Sequence, residues 1–285
     1  MKIAITGATG FIGQHIRKAL AKTDHDVVLV VREIEKAGEK TARESMVLAD
    51  LNQDRTDWFE LFGKPDAVLH LAWGGLPNYM DAYHVEVELP MQSKFLKALI
   101  DSGLKKLVVA GTCYEYGMSS GALSEDQETN PNTPYGVAKD YLRKKLFELQ
   151  QSKNFDLTWA RIFYPYGEGQ SEKSLYSQLK KAILSNQELL MGNGRQVLDF
   201  IQVEKVASSL LSLLISCTNL GVVNIGSGKP QTVAAFVQEQ IQIFQSDLVP
   251  SFGSIPDREY ESVSFWSDNS RFDSLVNLSN WSLMQ

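Results

Sequence analysis

Cysteine is scarce in this chain. Its 285 residues include only Cys113 and Cys217, so neither a disulfide framework nor a cysteine-based metal site can be assembled from them. Four histidines (His15, His25, His70, His84) lie scattered without ligand spacing, and no metal site is expected. Positive charge is not in excess: 28 Lys and Arg stand against 34 Asp and Glu, a net charge of −6. Without a concentrated basic face, a nucleic-acid partner is not expected. No apolar run is long enough for a membrane span, and no repeat or low-complexity linker interrupts the chain. A strand beginning at Lys2 leaves no room for a signal peptide, so the expected location is cytoplasmic.

What is present starts at once. The apolar run Ile3-Ala-Ile5 reads as a buried parallel strand. It breaks at Gly7, with Gly10 and Gly13 following at three-residue spacing. A helical pattern then carries Phe11, Ile12, Ile16 and Leu20 on one face. The physical need is for backbone without side chains. Gly7 permits a tight turn, Gly10 lets main-chain N–H groups approach a pyrophosphate, and Gly13 lets the helix pack closely on the strand. The helix N-terminus then offers its partial positive charge to the anion. Strand–glycines–helix is the context that a dinucleotide cradle requires.

Strand-like runs recur at Val27–Val31, Met46–Ala49, Ala67–Leu71, Leu107–Ala110 and Leu157–Ile162, with helical patterns at about 80–102 and 134–152. This alternation predicts an α/β fold, a Rossmann-type doubly wound parallel sheet covered by helices on both faces. From about Pro165 the pattern loosens, through Gly167, Gly169, Gly192, Gly194 and a Gly226-Ser-Gly228 turn. The expected division is a dinucleotide-binding domain over 1–165 and a smaller substrate-binding lobe over 166–285, partly interwoven with the sheet. Chemistry in such sheets sits just beyond the carboxyl ends of the strands.

The residues at those ends point to a particular cofactor. A carboxylate closing the second strand would bind the adenosine ribose of NAD and repel a 2′-phosphate. Here Val31 stands there with Arg32 beside it. A guanidinium can pair with the 2′-phosphate, which favours NADP(H) and leaves NAD(H) as the alternative; a solvated strand-end arginine is the plain reading. Asp50-Leu51 follows the third strand, where the carboxylate can accept from the adenine amino group or cap a helix. Leu71-Ala72-Trp73 follows the fourth and can line the middle of the cofactor.

Tyr135-Gly-Val-Ala-Lys139 sets a phenol and an ammonium four residues apart on one helix face, with Thr133-Pro134 as N-cap and first-turn proline. A neighbouring Lys⁺ stabilises phenolate, so the pairing is expected to lower the Tyr135 pKa and make it an acid/base for a carbinol or carbonyl oxygen. Two further pairs share the spacing, Tyr141/Lys145 and Tyr176/Lys180. Only the first follows a strand-end hydroxyl, Thr112, through a loop of Gly, Ser, Asn and Pro; the other two read as surface residues.

The ordered set Gly7-x-x-Gly10-x-x-Gly13, Asp50-Leu51, His70-Leu-Ala72, Gly111-Thr112, Tyr135-x-x-x-Lys139 and Asn224-Ile-Gly-Ser-Gly228 resembles the extended short-chain dehydrogenase/reductases over nearly the whole chain. Within them it looks like the nucleotide-sugar epimerase/dehydratase/reductase group. The resemblance implies a catalytic triad. Tyr135 would be the acid/base, Lys139 would bind the nicotinamide ribose and tune Tyr135, and Thr112 would hydrogen-bond the reacting oxygen. It also implies a homodimer through helices 80–102 and 134–152. In the later helix the stripe Ala138, Leu142, Leu146 and Leu149 can face either the core or a partner.

Departures from the group narrow the reaction. Its dehydratases carry Asp-Glu directly after the threonine, where this chain has Cys113-Tyr114, so elimination of water is not expected. The usual Asn of the Arg161-Ile-Phe-Tyr-Pro-Tyr-Gly167 segment is Tyr164. The usual Arg-Asp-Phe is Leu198-Asp-Phe200, which removes one diphosphate ligand; Arg195 and Arg258 are the candidates to bind a nucleotide-diphosphate sugar instead. Trp73, Tyr79, Tyr114 and Tyr164 are the candidates to shape the sugar pocket. Three readings remain: a 4-keto reductase of a nucleotide-linked 4-keto-6-deoxyhexose (dTDP- or CDP-linked), as in deoxysugar routes to surface polysaccharides; a 4-epimerase with tightly held NAD; and a non-catalytic dinucleotide sensor.

Overall fold

The computed structural model describes residues 1–215, 219–256 and 260–278, so Cys217 and Arg258 lie outside the described residues. Seven strands form the central sheet: β1 (Lys2–Thr6), β2 (Asp26–Val31), β3 (Glu44–Leu48), β4 (Ala67–His70), β5 (Lys106–Thr112), β7 (Asp156–Ile162) and β11 (Gly221–Ile225). Their order is β11-β7-β5-β4-β1-β2-β3, and every neighbouring pair is parallel. The winding direction reverses between β1 and β4, which opens a crevice above their carboxyl ends. β11 was not anticipated from the sequence. Only Val223, Asn224 and Ile225 of its five residues are buried, beside a glycine turn, too little periodic signal to separate a strand from a loop.

The strands read as continuous apolar runs because helices cover both faces. Alternate residues divide the core in two. Ile3, Ile5, Leu29, Leu69 and Val108 pack with Ile16 and Leu20 of α1 (Phe11–Leu20) and with Leu210, Leu211 and Leu214 of α6 (Val203–Ile215). Ala4, Val28, Val68, Leu107 and Val109 face the other way. They meet α2 (Trp58–Leu61), α3 (Leu89–Asp101) and α4 (Pro134–Ser152) through Trp58, Phe95, Leu96, Leu99, Ala138, Leu142 and Leu146. The α4 stripe left open by the sequence therefore faces its own core. Each such fully buried aliphatic side chain contributes roughly 1.5–3 kcal/mol.

Helix starts follow their side chains. Thr133 caps α4, accepting the Gly136 N–H at 3.0 Å, with Pro134 in the first turn. The segment expected to be helical from about 80 enters α3 through a π turn over His84–Glu88. The wide turn buries both His84 and Glu88, and such turns cluster at functional sites.

Outside the central sheet the pairings are short. β8 (Tyr164–Tyr166) lies parallel to β10 (Phe200–Gln202), and β9 (Val197–Leu198) antiparallel to β12 (Gln231–Thr232). β13 (Phe265–Ser267) returns to lie parallel to β6 (Gly121–Leu123), and α8 (Ser270–Leu278) follows it. A core of Leu179, Met191, Phe236 and Val237 joins α5 (Leu175–Ser185) to α7 (Val233–Ile243), with Phe200 stacked on Phe236 at 3.9 Å. Asp199, fully buried, accepts from the backbone and hydroxyl of both Ser227 and Ser267 and from the Gly228 N–H. One carboxylate thereby ties β10 to the turn after β11 and to β13.

The three cradle glycines differ in what surrounds them. Gly7 has φ +72°, and a Cβ on Gly13 would lie 2.2 Å from the Gly7 carbonyl oxygen, against rigid backbone. At Gly10 the nearest atom to a Cβ, also the Gly7 oxygen, is 3.2 Å away. Gly13→Ala is expected to lower stability by about 3 kcal/mol in a urea melt, and Gly10→Ala by under about 1 kcal/mol. Equal losses from the two changes would contradict this packing.

Candidate active site

At the N-terminus of α1, Gly10 is extended and supplies no side-chain cap, and the first turn holds no acidic residue. The first N–H groups of the helix therefore point unpartnered toward the crevice, with the positive end of the dipole behind them. Phe11 and Ile12 are partly buried beside them, and Gly13 is fully packed. This bare cradle fits a pyrophosphate; any Cβ at Gly7 would strike the Leu71–Ala72 backbone at 2.8–2.9 Å. The chain's residues thus match the dinucleotide whose nicotinamide would supply or accept hydride.

Around the cradle, the strand ends carry the residues expected from the sequence. Arg32 is exposed immediately after β2, within electrostatic reach of Tyr83. Asp50, also exposed, accepts the Asn52 N–H at 3.0 Å and so closes a turn after β3, while Leu51 packs on the core. Leu71 and Ala72 follow β4 half-buried. Beneath them lies a polar chain that sequence reasoning missed. Gln92 donates to the Ala72 carbonyl at 3.2 Å and to the buried Glu88 at 3.0 Å, and Tyr83 donates to the same carboxylate at 3.1 Å. Its members are spread through a helix that reads as ordinary amphipathic sequence, so no local signal marks them.

Thr112 ends β5, and Tyr135 and Lys139 reach the same point from the first turns of α4; all three are buried. The Thr112 hydroxyl stands near enough to the Tyr135 phenol to favour its ionised form. Lys139 Nζ donates to the Ala110 carbonyl at 2.8 Å and stands 3.9 Å from the Trp73 ring centroid, a cation–π contact that is strong when desolvated. Trp73 is itself held, its indole N–H donating to His84 Nδ1 at 3.1 Å while His84 Nε2 bonds the Asn78 carbonyl at 2.9 Å. An indole can only donate, so Nδ1 accepts and Nε2 carries the proton. His84, also 5.2 Å from Tyr135 between ring centroids, was visible in the sequence only as one of four scattered histidines.

Electrostatics at this point differ from the expectation that Lys139 lowers the Tyr135 pKa. Burial pushes the Tyr135 phenol well above its ordinary range, relieved only in part by the neighbouring Thr112. Burial likewise brings Lys139 down to about 7, against the pull of Glu115 and Glu88. The ammonium lies 6.0 Å from the Tyr135 ring centroid and spends its interactions on Ala110 and Trp73, so desolvation outweighs pairing. Tyr135 is held as an acid. The remaining Tyr/Lys pairs are elsewhere: Tyr141 is exposed under Lys145, and Lys180 is paired with Glu168.

An aromatic wall adjoins Tyr135. Tyr79 stacks on Tyr114 at 4.8 Å and lies 5.5 Å from Tyr135; Trp73 is 6.0 Å and Tyr114 6.1 Å from it; Tyr164 is 6.3 Å from Tyr114. All four pocket candidates are thus gathered. The Tyr114 phenol donates to Glu261 at 2.8 Å, which ties the wall to the C-terminal lobe. Neither dehydratase carboxylate position carries one, because Cys113 is a buried thiol whose pKa burial raises and Tyr114 is spent on Glu261. Leu198 is buried against Cys113, Tyr116 and Phe163 and cannot meet an anion. Arg195 lies exposed in the loop before β9.

Comparison with known proteins agrees with this geometry. The chain is 28% identical over 271 residues to a protein of Aggregatibacter actinomycetemcomitans named dTDP-6-deoxy-L-talose 4-dehydrogenase (NAD(+)), covering 93% of this chain and 99% of that one. The structure of UDP-glucuronic acid 4-epimerase from Bacillus cereus, in complex with UDP-glucuronic acid and NAD, superposes with a TM-score of 0.83 at 26% identity, covering 97% of this chain and 93% of that chain. A UDP-N-acetylglucosamine 4-epimerase from Methanobrevibacter ruminantium shares the fold, with a TM-score of 0.86 at 24% identity over 96% of this chain and 91% of that one. Among the described residues no helix is long and apolar enough to cross a membrane. The family model for NAD dependent epimerases and dehydratases matches residues 3–226, and with the cradle, the seven-stranded sheet and the Thr112–Tyr135–Lys139 cluster all inside that span, the chain belongs to the NAD dependent epimerase/dehydratase family.

Proposed function

We propose that the protein is an NAD(P)H-dependent reductase of the 4-keto group of a nucleotide-linked 4-keto-6-deoxyhexose, with Thr112, Tyr135 and Lys139 as its catalytic residues. The observation that carries the reading is the gathering of Thr112, Tyr135 and Lys139, all buried, at the carboxyl end of β5, where Lys139 is fixed on the Ala110 carbonyl. Hydride delivery to a carbonyl needs a proton at the oxygen, and Tyr135, which burial keeps protonated, carries one. Thr112 orients that oxygen, and Lys139 holds positive charge beneath it. The similarity to a dTDP-6-deoxy-L-talose 4-dehydrogenase supports the sugar class, because 4-dehydrogenation is the same reaction run backwards. The aromatic wall of Trp73, Tyr79, Tyr114 and Tyr164 suits the apolar face of a deoxysugar ring, with Arg195 and Arg258 the candidates for its diphosphate. The expected assembly is a homodimer through the 80–102 and 134–152 helices, where Val87, Val137 and Tyr141 are exposed. A 4-epimerase holding NAD is the second reading, favoured by the fold match to an NAD-bound epimerase.

The assay is dinucleotide oxidation with dTDP-, CDP-, UDP- and GDP-linked 4-keto-6-deoxyhexoses, with the product followed by NMR. Net oxidation is expected with a dTDP- or CDP-sugar; no oxidation with any donor, in protein that copurifies with NAD, would overturn the reductase reading. Tyr135→Phe should lower kcat by about 10²–10⁴-fold with dinucleotide binding kept, whereas Tyr141→Phe leaves the rate unchanged.

Lys139 must be charged, so its contribution is present at low pH and lost as pH rises through its own pKa. The alkaline limb of kcat/KM, which reports the free enzyme, is therefore expected at about 7. A limb near the ordinary lysine range would refute the role of burial.

For the cofactor, Arg32 favours NADP(H) through the 2′-phosphate, and NAD(H) is the alternative supported by the relatives. Arg32→Ala should weaken NADPH by about tenfold or more, the worth of a charge-assisted bond, and leave NADH unaffected. Equal weakening of both in a titration refutes the 2′-phosphate contact.

A further inference from the structure

Behind Thr112 lies a carboxylate that the proton transfer itself does not use. Glu115 is completely buried. Its Oε1 accepts the Thr112 backbone N–H at 2.9 Å and the Trp159 indole N–H at 2.8 Å. Its Oε2 accepts from Arg161 Nε at 2.9 Å, and Arg143 Nε stands 3.4 Å away. Donors from β5 and β7 thus converge on two oxygens, with the Arg143 guanidinium of α4 beside them. Gly111 makes the approach possible, because a Cβ there would lie 2.7 Å from Glu115 Oε1 and 2.2 Å from Trp159 Nε1. The exchange with Thr112 is reciprocal: the Thr112 hydroxyl accepts the Tyr114 N–H while its own backbone N–H is taken by Glu115.

Two roles fit a carboxylate in this place. It can be a counter-ion for Arg161, which is 1% exposed and also stacks 4.4 Å from the Tyr116 ring. Stability alone is a weak reason for such a pair, since apolar residues of similar volume often serve as well. The grip of Glu115 on the Thr112 backbone is a capping box that starts the 3-10 turn Cys113–Tyr116 and holds Thr112 in place. A counter-ion has no need to stand where its field reaches Lys139, on which Glu115 and Glu88 are the acting carboxylates. The other groups facing Lys139 are Tyr135 on α4, the Trp73 ring after β4, and His70 on β4, whose pKa burial and the ammonium lower to about 3. Asp140 on α4 is occupied by Arg143 and Lys144.

We propose that Glu115 is a positioning residue of the catalytic centre, fixing Thr112 against Tyr135 and setting a negative charge against Lys139. The inference rests on the assignment of Thr112, Tyr135 and Lys139 to the reaction. It also gives Glu115 a role distinct from the carboxylates of dehydratases: its oxygens face the core and are fully engaged, so it takes no proton from substrate.

The test compares the full-length parent with Glu115→Gln, Glu115→Gln/Arg161→Gln and Tyr135→Phe in the reductase assay and in thermal melts. Glu115→Gln should lower kcat by about tenfold to a hundredfold, the cost of a small misplacement, with KM for the sugar within about twofold. Its alkaline limb should move to lower pH, because losing the carboxylate lowers the pKa of Lys139 and of Tyr135 alike. The double variant removes the guanidinium left unpaired, so its melting temperature should recover while the low kcat and the displaced limb persist. Recovery of both rate and pH profile in the double variant would make Glu115 a counter-ion of Arg161 and overturn the proposal, as would an unaltered profile in Glu115→Gln. If Glu115→Gln alone fails to fold, the double variant decides by the same readouts. A fully active Tyr135→Phe is a different failure, that of the reaction assignment.

Discussion

A lysine ammonium that is 2% exposed is the constraint around which this site is arranged. Desolvation alone would neutralise it, so the surrounding elements must each supply something. The end of β5 gives a carbonyl, the segment after β4 gives an aromatic face, and the buried carboxylates Glu88 and Glu115 give charge. Those contributions require α4 to begin within reach of β5, which the Thr133 cap and Pro134 enforce. They also require Trp73 to be pinned, which His84 does from a π turn. One local irregularity of the fold, the π turn, thus serves the buried charge.

The same economy governs the opposite side of the crevice. There the need is for nothing: no cap at Gly10, no Cβ at Gly7 or Gly13, no acidic residue in the first turn of α1. One half of the site is built from polar side chains crowded together and the other from their exclusion. Between them the reversal of strand order between β1 and β4 leaves a crevice.

The sequence made the glycine half and the β–α alternation readable, because turns, close approaches and apolar runs are local properties. Six of the seven sheet strands could be placed that way; β11 could not, since its burial is decided by β7 and by the lobe. Tyr135 and Lys139 were recognisable against two rival pairs only through Thr112 and the order of motifs. Glu88, His84 and Glu115 were not, since each acts on a residue reached only after folding. The expected direction of the Tyr135 pKa failed for a related reason: helical spacing reports proximity, whereas burial belongs to the whole assembly. Leu198 shows the converse, a departure noted in the motif whose meaning became plain once its apolar neighbours were known.

The contact between Lys139 and Trp73 has a consequence outside chemistry. An ammonium 3.9 Å from an indole centroid perturbs the excited state of that ring, and the perturbation vanishes when the amine loses its proton. With the other four of the five tryptophans replaced, the emission of Trp73 is an intrinsic optical gauge of that charge. The protein carries a voltmeter for its own buried lysine.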